Sequence, residues 1–264
     1  MGRLEGKRAI VLGAAGRDNM AQTITRRLVA EGANVVVAGR KQEELERFAA
    51  DVGGVAKTCD ITSKSDTDAL AAFAAERMGG LDIAINATGI GLMRSFLETS
   101  EDDLDQITDI QFKGPFRFFQ SMIGAMTGSG SLIQISSATA TIMLDDHAAY
   151  MGTKAGVDHV IRCVANEFGA RNIRANSISP GLTETPMTAG AMAMPGLADA
   201  FTDCYPLGRI GTSEDIAAAV VWLASDECFM TGQNLQVNGG LTLRRNPNRT
   251  EIMASVGKAM AAAS

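Results

Sequence analysis

The 264 residues hold no long block of charge of one sign: acids outnumber bases and the net charge is −6, but the two are interspersed. That interspersed balance argues against a nucleic-acid surface and against a polybasic membrane face. Cysteine is scarce. Cys59, Cys163, Cys204 and Cys228 stand far apart and form no ligand pair, as expected for ordinary reduced residues of a cytosolic protein. No grouping of His, Cys, Asp and Glu has metal-ligand spacing. Long apolar runs are also missing and a strand pattern starts within a few residues of Met1, so neither a signal peptide nor a membrane span is expected. Asn248-Arg249-Thr250 matches a glycosylation acceptor, a match without consequence in the cytosol. Aromatic residues are only 5 % of the chain against 46 % apolar residues in all, so the expected core is built of Ala, Val, Ile and Leu. Repeats, low-complexity tracts and linkers are absent. The length suits one large α/β domain over residues 1–264.

What is present is strict alternation. Strands are expected at 7–12, 34–38, 55–59, 81–86, 131–136, 174–179 and near 234–237. Helices are expected near 19–31, 41–51, 64–78, 101–127, 148–169 and 213–224. This order implies a doubly wound parallel sheet with helices on both faces, a Rossmann-type α/β fold. Two stretches break the rhythm. Residues 183–209, rich in Ala, Gly, Met and Pro, read as a long loop of the kind that forms a substrate lid. The extension 241–264 has helical potential at 251–262, and is expected either to fray or to dock on a neighbouring subunit.

Three local patterns carry chemistry. Gly13 and Gly16 stand where the first strand turns into the first helix, either as a cradle for a pyrophosphate at the helix N-terminus or as a simple tight turn. The second strand ends in Ala38-Gly39-Arg40-Lys41, with no acid for a ribose 2′-hydroxyl and with a guanidinium suited to a phosphate. NADP(H) is therefore favoured and NAD(H) is the alternative, unless Arg40 merely begins a solvated helix. Tyr150 and Lys154, four apart, share one helix face. An ammonium beside a phenol favours the phenolate, which suits Tyr150 to giving and taking protons. Ser137 ends the strand before it, where its hydroxyl can meet the tyrosine across a cleft. Alone, a Tyr-x-x-x-Lys pair is equally a feature of solvated helix faces.

Taken in order with Asn86-Ala87-Thr88-Gly89 and Pro180-Gly181, these motifs resemble the short-chain dehydrogenase/reductase family over nearly everything from Leu4 to Gly240. The glycine loop departs from the family's usual form. Its length, with Gly13, Asn19 and Ala21, looks more like the loop of enoyl-thioester reductases, Asn19 capping the helix and meeting the phosphates and Arg17 offering a second phosphate contact. The resemblance implies an adenine contact at Asp60-Ile61, which is also a candidate helix cap, and cofactor contacts at Asn86 and Gly89. It implies further contacts along Pro180, Gly181, Leu182, Thr183 and Thr185, of which Pro180-Gly181 is alternatively only a turn. It assigns Ser137 to the substrate oxygen, Tyr150 to proton transfer and Lys154 to the nicotinamide ribose, with hydride passing directly between cofactor and substrate. Gln111 stands where the family has an asparagine that supports a proton relay, with the same amide on a longer arm.

By the same resemblance, His147 lies in the stretch between Ser137 and Tyr150 that lines the substrate pocket. Met93, Met143, Leu144 and Met187 would make an apolar pocket for a hydrophobic ketone or secondary alcohol, and core packing explains each equally well. The expectation is a cytoplasmic carbonyl reductase or secondary-alcohol dehydrogenase, homotetrameric by analogy. One alternative is an enoyl-thioester reductase, disfavoured because its Tyr-x6-Lys pair would need a tyrosine where His147 stands. The other is a catalytically idle NADP(H)-binding protein.

Overall fold

The β-branched runs form one seven-stranded sheet in a computed structural model that describes residues 2–263; Met1 and Ser264, the ends of the expected domain 1–264, lie outside it. In chain order the elements are β1 (Arg8–Leu12), α1 (Met20–Ala30), β2 (Asn34–Gly39), α2 (Gln42–Val52), β3 (Val55–Thr58), α3 (Lys64–Met78) and β4 (Ile83–Asn86). Then come α4 (Glu101–Thr108), α5 (Gly114–Ala125), β5 (Gly130–Ile135), α6 (Ala148–Phe168) and β6 (Ile173–Pro180). The last part holds β7 (Thr183–Glu184), α7 (Ala189–Met192), α8 (Leu197–Thr202), β8 (Gly211–Thr212), α9 (Ser213–Ala224), β9 (Asn234–Val237) and α10 (Arg249–Ala263). The sheet order is β3-β2-β1-β4-β5-β6-β9, with every pairing parallel. The chain starts in the middle, winds out to β3 and returns to the other side of β1. The loops after β1 and β4 therefore leave in opposite directions and open a crevice at the strand C-termini.

Period-two side-chain alternation divides the core into two layers. Val11, Val35, Val37, Ile83, Ile85 and Ile133 face α1, α2 and α9. Ile10, Leu12, Val36, Ala84 and Leu132 face α3, α5 and α6. Each fully buried side chain of this kind contributes about 1.5–3 kcal/mol, which is why single strands of four to six residues suffice. Helix starts are fixed by Asn19, Ser63, Ser100 and Thr212, each accepting a backbone N–H of the first turn. Such a cap is worth about 1 kcal/mol. The cap of α3 is thus Ser63, not Asp60, whose Oδ1 instead takes the Thr62 N–H and hydroxyl at 2.9 and 2.7 Å.

Three features depart from the sequence expectations. The helix expected over 101–127 is interrupted by a π turn at Asp109–Lys113, where the Gly114 N–H reaches the Asp109 carbonyl. The extra residue in that turn coincides with a buried Gln111, only 2 % exposed. Residues 183–209 are not one loop: β7 pairs with β8, and α7 and α8 lie between them. The tail neither frays nor needs a second subunit for a docking surface. α10 packs on α8 of its own chain, with Val256 buried and the Ser255 hydroxyl donating to the Gly196 carbonyl at 2.7 Å. A third apolar cluster, built on Ala138, Phe201, Tyr205 and Leu241 with Ile252 against it, joins the Ser137 loop, the lid and the tail. Among the described residues no helix is long and apolar enough to cross a membrane.

Placing a carboxylate at Val256 should undock α10, because an unpaired charge in an apolar contact costs several kcal/mol. Val256→Asp is expected to open rapid tryptic cleavage after Arg244, Arg245 or Arg249 while the sheet's melting transition moves little. Unchanged cleavage kinetics would show that the tail is not held by this contact.

Candidate active site

The loop from Gly13 to Asn19 lies against the ends of β2 and β4. Gly13 has φ +114°, and a Cβ there would sit 2.9 Å from the Ala87 carbonyl, so only glycine fits. Asn19 caps α1 by accepting the Gln22 N–H at 3.0 Å, and its Nδ2 donates to the Gly13 carbonyl at 2.8 Å. The residue expected to cap the helix does so, and it also shapes the loop before it. A Cβ on Gly16 would sit 2.8 Å from that Nδ2, so the second glycine makes room for the cap. Gln22, which sequence reasoning missed, is buried and donates to both the Ala14 carbonyl (3.0 Å) and Glu44 Oε1 (2.9 Å). Its signal was an amide in the apolar stripe of α1. Arg47 and then Gln22 hold the Glu44 carboxyl down at about 2.

Arg40 is exposed just beyond β2, and Arg17 is exposed on the loop with Asp18 4.0 Å away. The Thr62 backbone N–H, and more weakly Arg40, keep the Asp60 carboxyl below its ordinary range despite partial burial. The Ile61 side chain belongs to the core, so only its main chain can serve a ligand. A Cβ on Gly39 would lie 2.7 Å from the Ala15 Cβ. The glycine lets the loop from Gly13 to Asn19 rest on the end of β2, which is a packing reason for the absence of an acid at this position. At the end of β4, Asn86 is fully committed: Nδ2 donates to Gln134 at 2.8 Å, and Oδ1 accepts the Thr88 N–H and hydroxyl. It acts by fixing the Thr88-Gly89 turn.

Gly89 faces the polar centre. A Cβ on it would lie 2.9 Å from Gln111 Oε1 and 3.6 Å from Lys154 Nζ. Gln111 accepts the Ile90 N–H at 3.1 Å and donates to the Thr153 hydroxyl at 3.1 Å, and Thr153 in turn donates to the Tyr150 carbonyl. Both ends of the amide expected to carry a relay are therefore bound to protein. Lys154 is buried, donates to the Ile135 carbonyl at 3.0 Å and places its Nζ 5.7 Å from the centre of the Tyr150 ring. Ser137 is extended at the end of β5. Its hydroxyl exchanges a hydrogen bond with Thr139 at 2.8 Å and its carbonyl accepts the Ser179 hydroxyl at 3.0 Å. Tyr150, Lys154, Gln111 and Gly89 are thus one contiguous group, with Ser137 two residues beyond the carbonyl that binds the lysine.

Beyond β6 the chain is pinned rather than loose. Tyr205, another residue the sequence did not single out, donates to the Leu182 carbonyl at 3.3 Å, and the Gly211 N–H joins it at 3.1 Å. Burial pushes the Tyr205 phenol up to about 12. A Cβ on Gly181 would collide with that phenol. Thr183 donates to the Gly181 carbonyl, and Thr185 gives its N–H to Thr188, so both residues brace the start of the segment 183–209.

The apolar residues expected in the pocket divide. Leu144 packs in the third core cluster, while Met93, Met143 and Met187 are each about two-thirds exposed. A cleft of about 550 Å³ runs between residues 141–145 and 245–248. Its far wall is the tail, where buried Asn246 donates to the Met143 carbonyl at 2.9 Å and Arg249 pairs with Asp146 at 3.1 Å. His147 sits at the start of α6 with its ring 6.2 Å from that of Tyr150 and its Nδ1 2.6 Å from the Asp145 carbonyl. A carbonyl only accepts, so Nδ1 carries the proton.

Comparison with known proteins adds the following. A family model described as Enoyl-(Acyl carrier protein) reductase matches residues 13–242. D-threitol dehydrogenase of Mycolicibacterium smegmatis is 33 % identical over 92 % of this chain and 95 % of its own length. 3beta-hydroxysteroid dehydrogenase 1 of Eggerthella lenta is 34 % identical over 91 % of this chain and 95 % of its own. A short-chain type dehydrogenase/reductase from Mycobacterium ulcerans superposes with a TM-score of 0.90 at 26 % identity, covering 97 % of this chain and 99 % of that one.

The packing at Gly39 separates sterics from charge. Gly39→Ala adds no charge but drives a methyl into Ala15, so nicotinamide-dinucleotide affinity should fall about tenfold or more for the phosphorylated and unphosphorylated forms alike. Fluorescence titration with NADH and NADPH checks this; a loss confined to one of the two would restore the charge argument at this position.

Proposed function

The chain belongs to the short-chain dehydrogenase/reductase family, and from that premise we propose that it interconverts a secondary alcohol and a ketone, with Tyr150 as general acid/base and NADP(H) as the preferred cofactor. The observation that carries the reading is the buried Lys154 ammonium, held by the Ile135 carbonyl beside the Tyr150 ring. A nicotinamide, when bound, supplies or accepts the hydride. The protein's share is to hold the substrate oxygen and move its proton. Ser137 donates a hydrogen bond to that oxygen. Tyr150 gives its hydroxyl proton to the carbonyl oxygen in reduction and takes it from the alcohol in oxidation, Lys154 stabilising the phenolate between events.

Gln111, bound at both ends of its amide, serves as a positioning residue that fixes Gly89 against Lys154. Close approach of main chain at Gly13 and Gly89, where a Cβ would intrude, fits a flat dinucleotide laid across the strand ends. Exposed Arg40 and exposed Arg17 favour the 2′-phosphate; NAD(H) is the alternative. The relatives' names span a polyol and a steroid, which supports an alcohol or ketone substrate without choosing between polar and apolar ones. Exposed Met143 and Met187 favour the apolar side. Residues 183–209 act as the lid. The protein is proposed to be cytoplasmic and a homo-oligomer, tetrameric by resemblance, with exposed Leu104 and Phe116 as contact surface.

A second reading, enoyl-thioester reduction, is favoured by the loop length and by the name of the matching family model. It would need a tyrosine seven positions before Lys154, where His147 stands instead. An idle cofactor-binding protein would have no use for a lysine buried beside a phenol.

NADPH oxidation with a panel of ketones, enoyl thioesters and no substrate separates the three. Tyr150→Phe should lower kcat by about 10²–10⁴-fold with cofactor binding intact. A variant that keeps half its activity would remove Tyr150 from the mechanism. On cofactor choice, a charge-assisted hydrogen bond of about 1.5–3 kcal/mol corresponds to a preference for NADPH over NADH of about ten- to a hundredfold in kcat/KM. Arg40→Ala should remove most of it, with Arg17 retaining the rest. Wild-type kinetics with both cofactors decide, and faster turnover with NADH would return Arg40 to the role of a surface residue at a helix start.

A further inference from the structure

α6 carries a third polar residue in line with Tyr150 and Lys154. Asp158 lies one turn beyond the lysine, so the three side chains leave the helix on one side. Its Oδ2 accepts the Ser136 hydroxyl at 2.9 Å and the Asn234 amide at 2.5 Å, joining α6 to the end of β5 and the start of β9. Its Oδ1 is buried beside the Ser177 hydroxyl on β6, and neither atom makes a hydrogen bond of normal geometry among the described residues. A buried carboxylate with an unsatisfied oxygen costs free energy that an apolar residue would not. Its place is therefore a clue to use.

The geometry beside it is specific. Three consecutive residues at the end of β5 are gripped in turn. Lys154 holds the Ile135 carbonyl, Asp158 holds the Ser136 hydroxyl and Ser179 holds the Ser137 carbonyl. We propose that Asp158 is a positioning residue for proton transfer, fixing Ser136 ahead of Ser137 and offsetting part of the buried Lys154 charge. This rests on the assignment of Ser137, Tyr150 and Lys154 given above. Lys154 is the charged group acting on Asp158; the groups facing it from β5, β6 and β9 are the neutral Ser136, Ser177 and Asn234. Burial pushes the Asp158 carboxyl up, with the Ser177 and Ser136 hydroxyls and then Lys154 opposing it.

The sign of the effect follows from Coulomb's law. A carboxylate one turn beyond the ammonium cancels part of the positive field at the phenol. Removing that negative charge leaves the field stronger and favours the phenolate at lower pH.

The chain has two tyrosines, so in a Tyr205→Phe background tyrosinate difference absorbance reports Tyr150 without any substrate. In Asp158→Asn the midpoint of that signal should fall by about half to one pH unit, with NADPH still bound and the melting temperature followed in parallel. Asp158→Ser, which leaves room for water, is read the same way if the asparagine variant does not fold. Ser136→Ala keeps the charge and loses the grip, so its midpoint should stay while kcat for ketone reduction falls several-fold. A midpoint unmoved in a folded Asp158 variant overturns the inference and leaves Asp158 a packing residue. Tyr150→Phe serves as the blank: if it retains turnover, the catalytic assignment falls and this inference with it. If it is inactive and the Asp158 midpoint does not move, only the present inference falls.

Discussion

The candidate site is organised around one buried ammonium. Lys154 has left water, a step that costs several kcal/mol unless the charge is met by good partners. The Ile135 carbonyl is the partner in hydrogen-bond contact, and the Tyr150 ring stands beside it. The carbonyl belongs to β5, so satisfying the charge also docks α6 onto the strand whose next turn bears Ser137. Positioning and electrostatics are thus one interaction. A neutral side chain in place of Lys154 would lose the orientation of the helix and the bias toward phenolate together.

Around that centre the backbone does what side chains usually do. The crevice exists because parallel strands wound outward from β1 diverge at β1 and β4. Its floor is main chain brought close at glycines: Gly13 against the Ala87 carbonyl, Gly39 against Ala15, Gly89 against Gln111. Polar side chains near it mostly bind the protein itself. Asn19, Gln22, Asn86 and Gln111 each join two segments. A surface built in this way is rigid before anything binds, and little ordering cost falls on the ligand.

How much of this was legible in the residues follows from the range of the forces involved. Strand and helix placement rested on local periodicity, and β1, β2 and β4 came out within two residues of expectation. The Tyr150–Lys154 pair was legible because a helix fixes the relation of i and i+4. What escaped was set by contacts between distant segments. The π turn at Asp109–Lys113 has no local signature, and it coincides with a buried glutamine that a plain helix pattern could not place. Gly39 looked like a missing carboxylate because Ala15, the atom it avoids, is 24 positions away. The tail gave the clearest miss. Its sequence showed only helical potential at 251–262, and the fold was needed to show that α10 docks on α8 of its own chain.

That tail suggests how one scaffold separates chemistry from selection. Ser137, Tyr150 and Lys154 are anchored to β5 and α6, inside the two layers that every strand helps to build. The third cluster is assembled instead from the Ser137 loop, α8 and the extension beyond Leu241. It touches the sheet through few residues, and polar links such as Asn246 to Met143 and Arg249 to Asp146 hold its outer rim. The cluster's Ile142 and Leu144 also line the cleft between residues 141–145 and the tail, apart from the contact between Lys154 and the Ile135 carbonyl. The proposed substrate side is thus lined by a cluster other than the layer that holds Ile135, and Ala138, next to Ser137, is where the two meet.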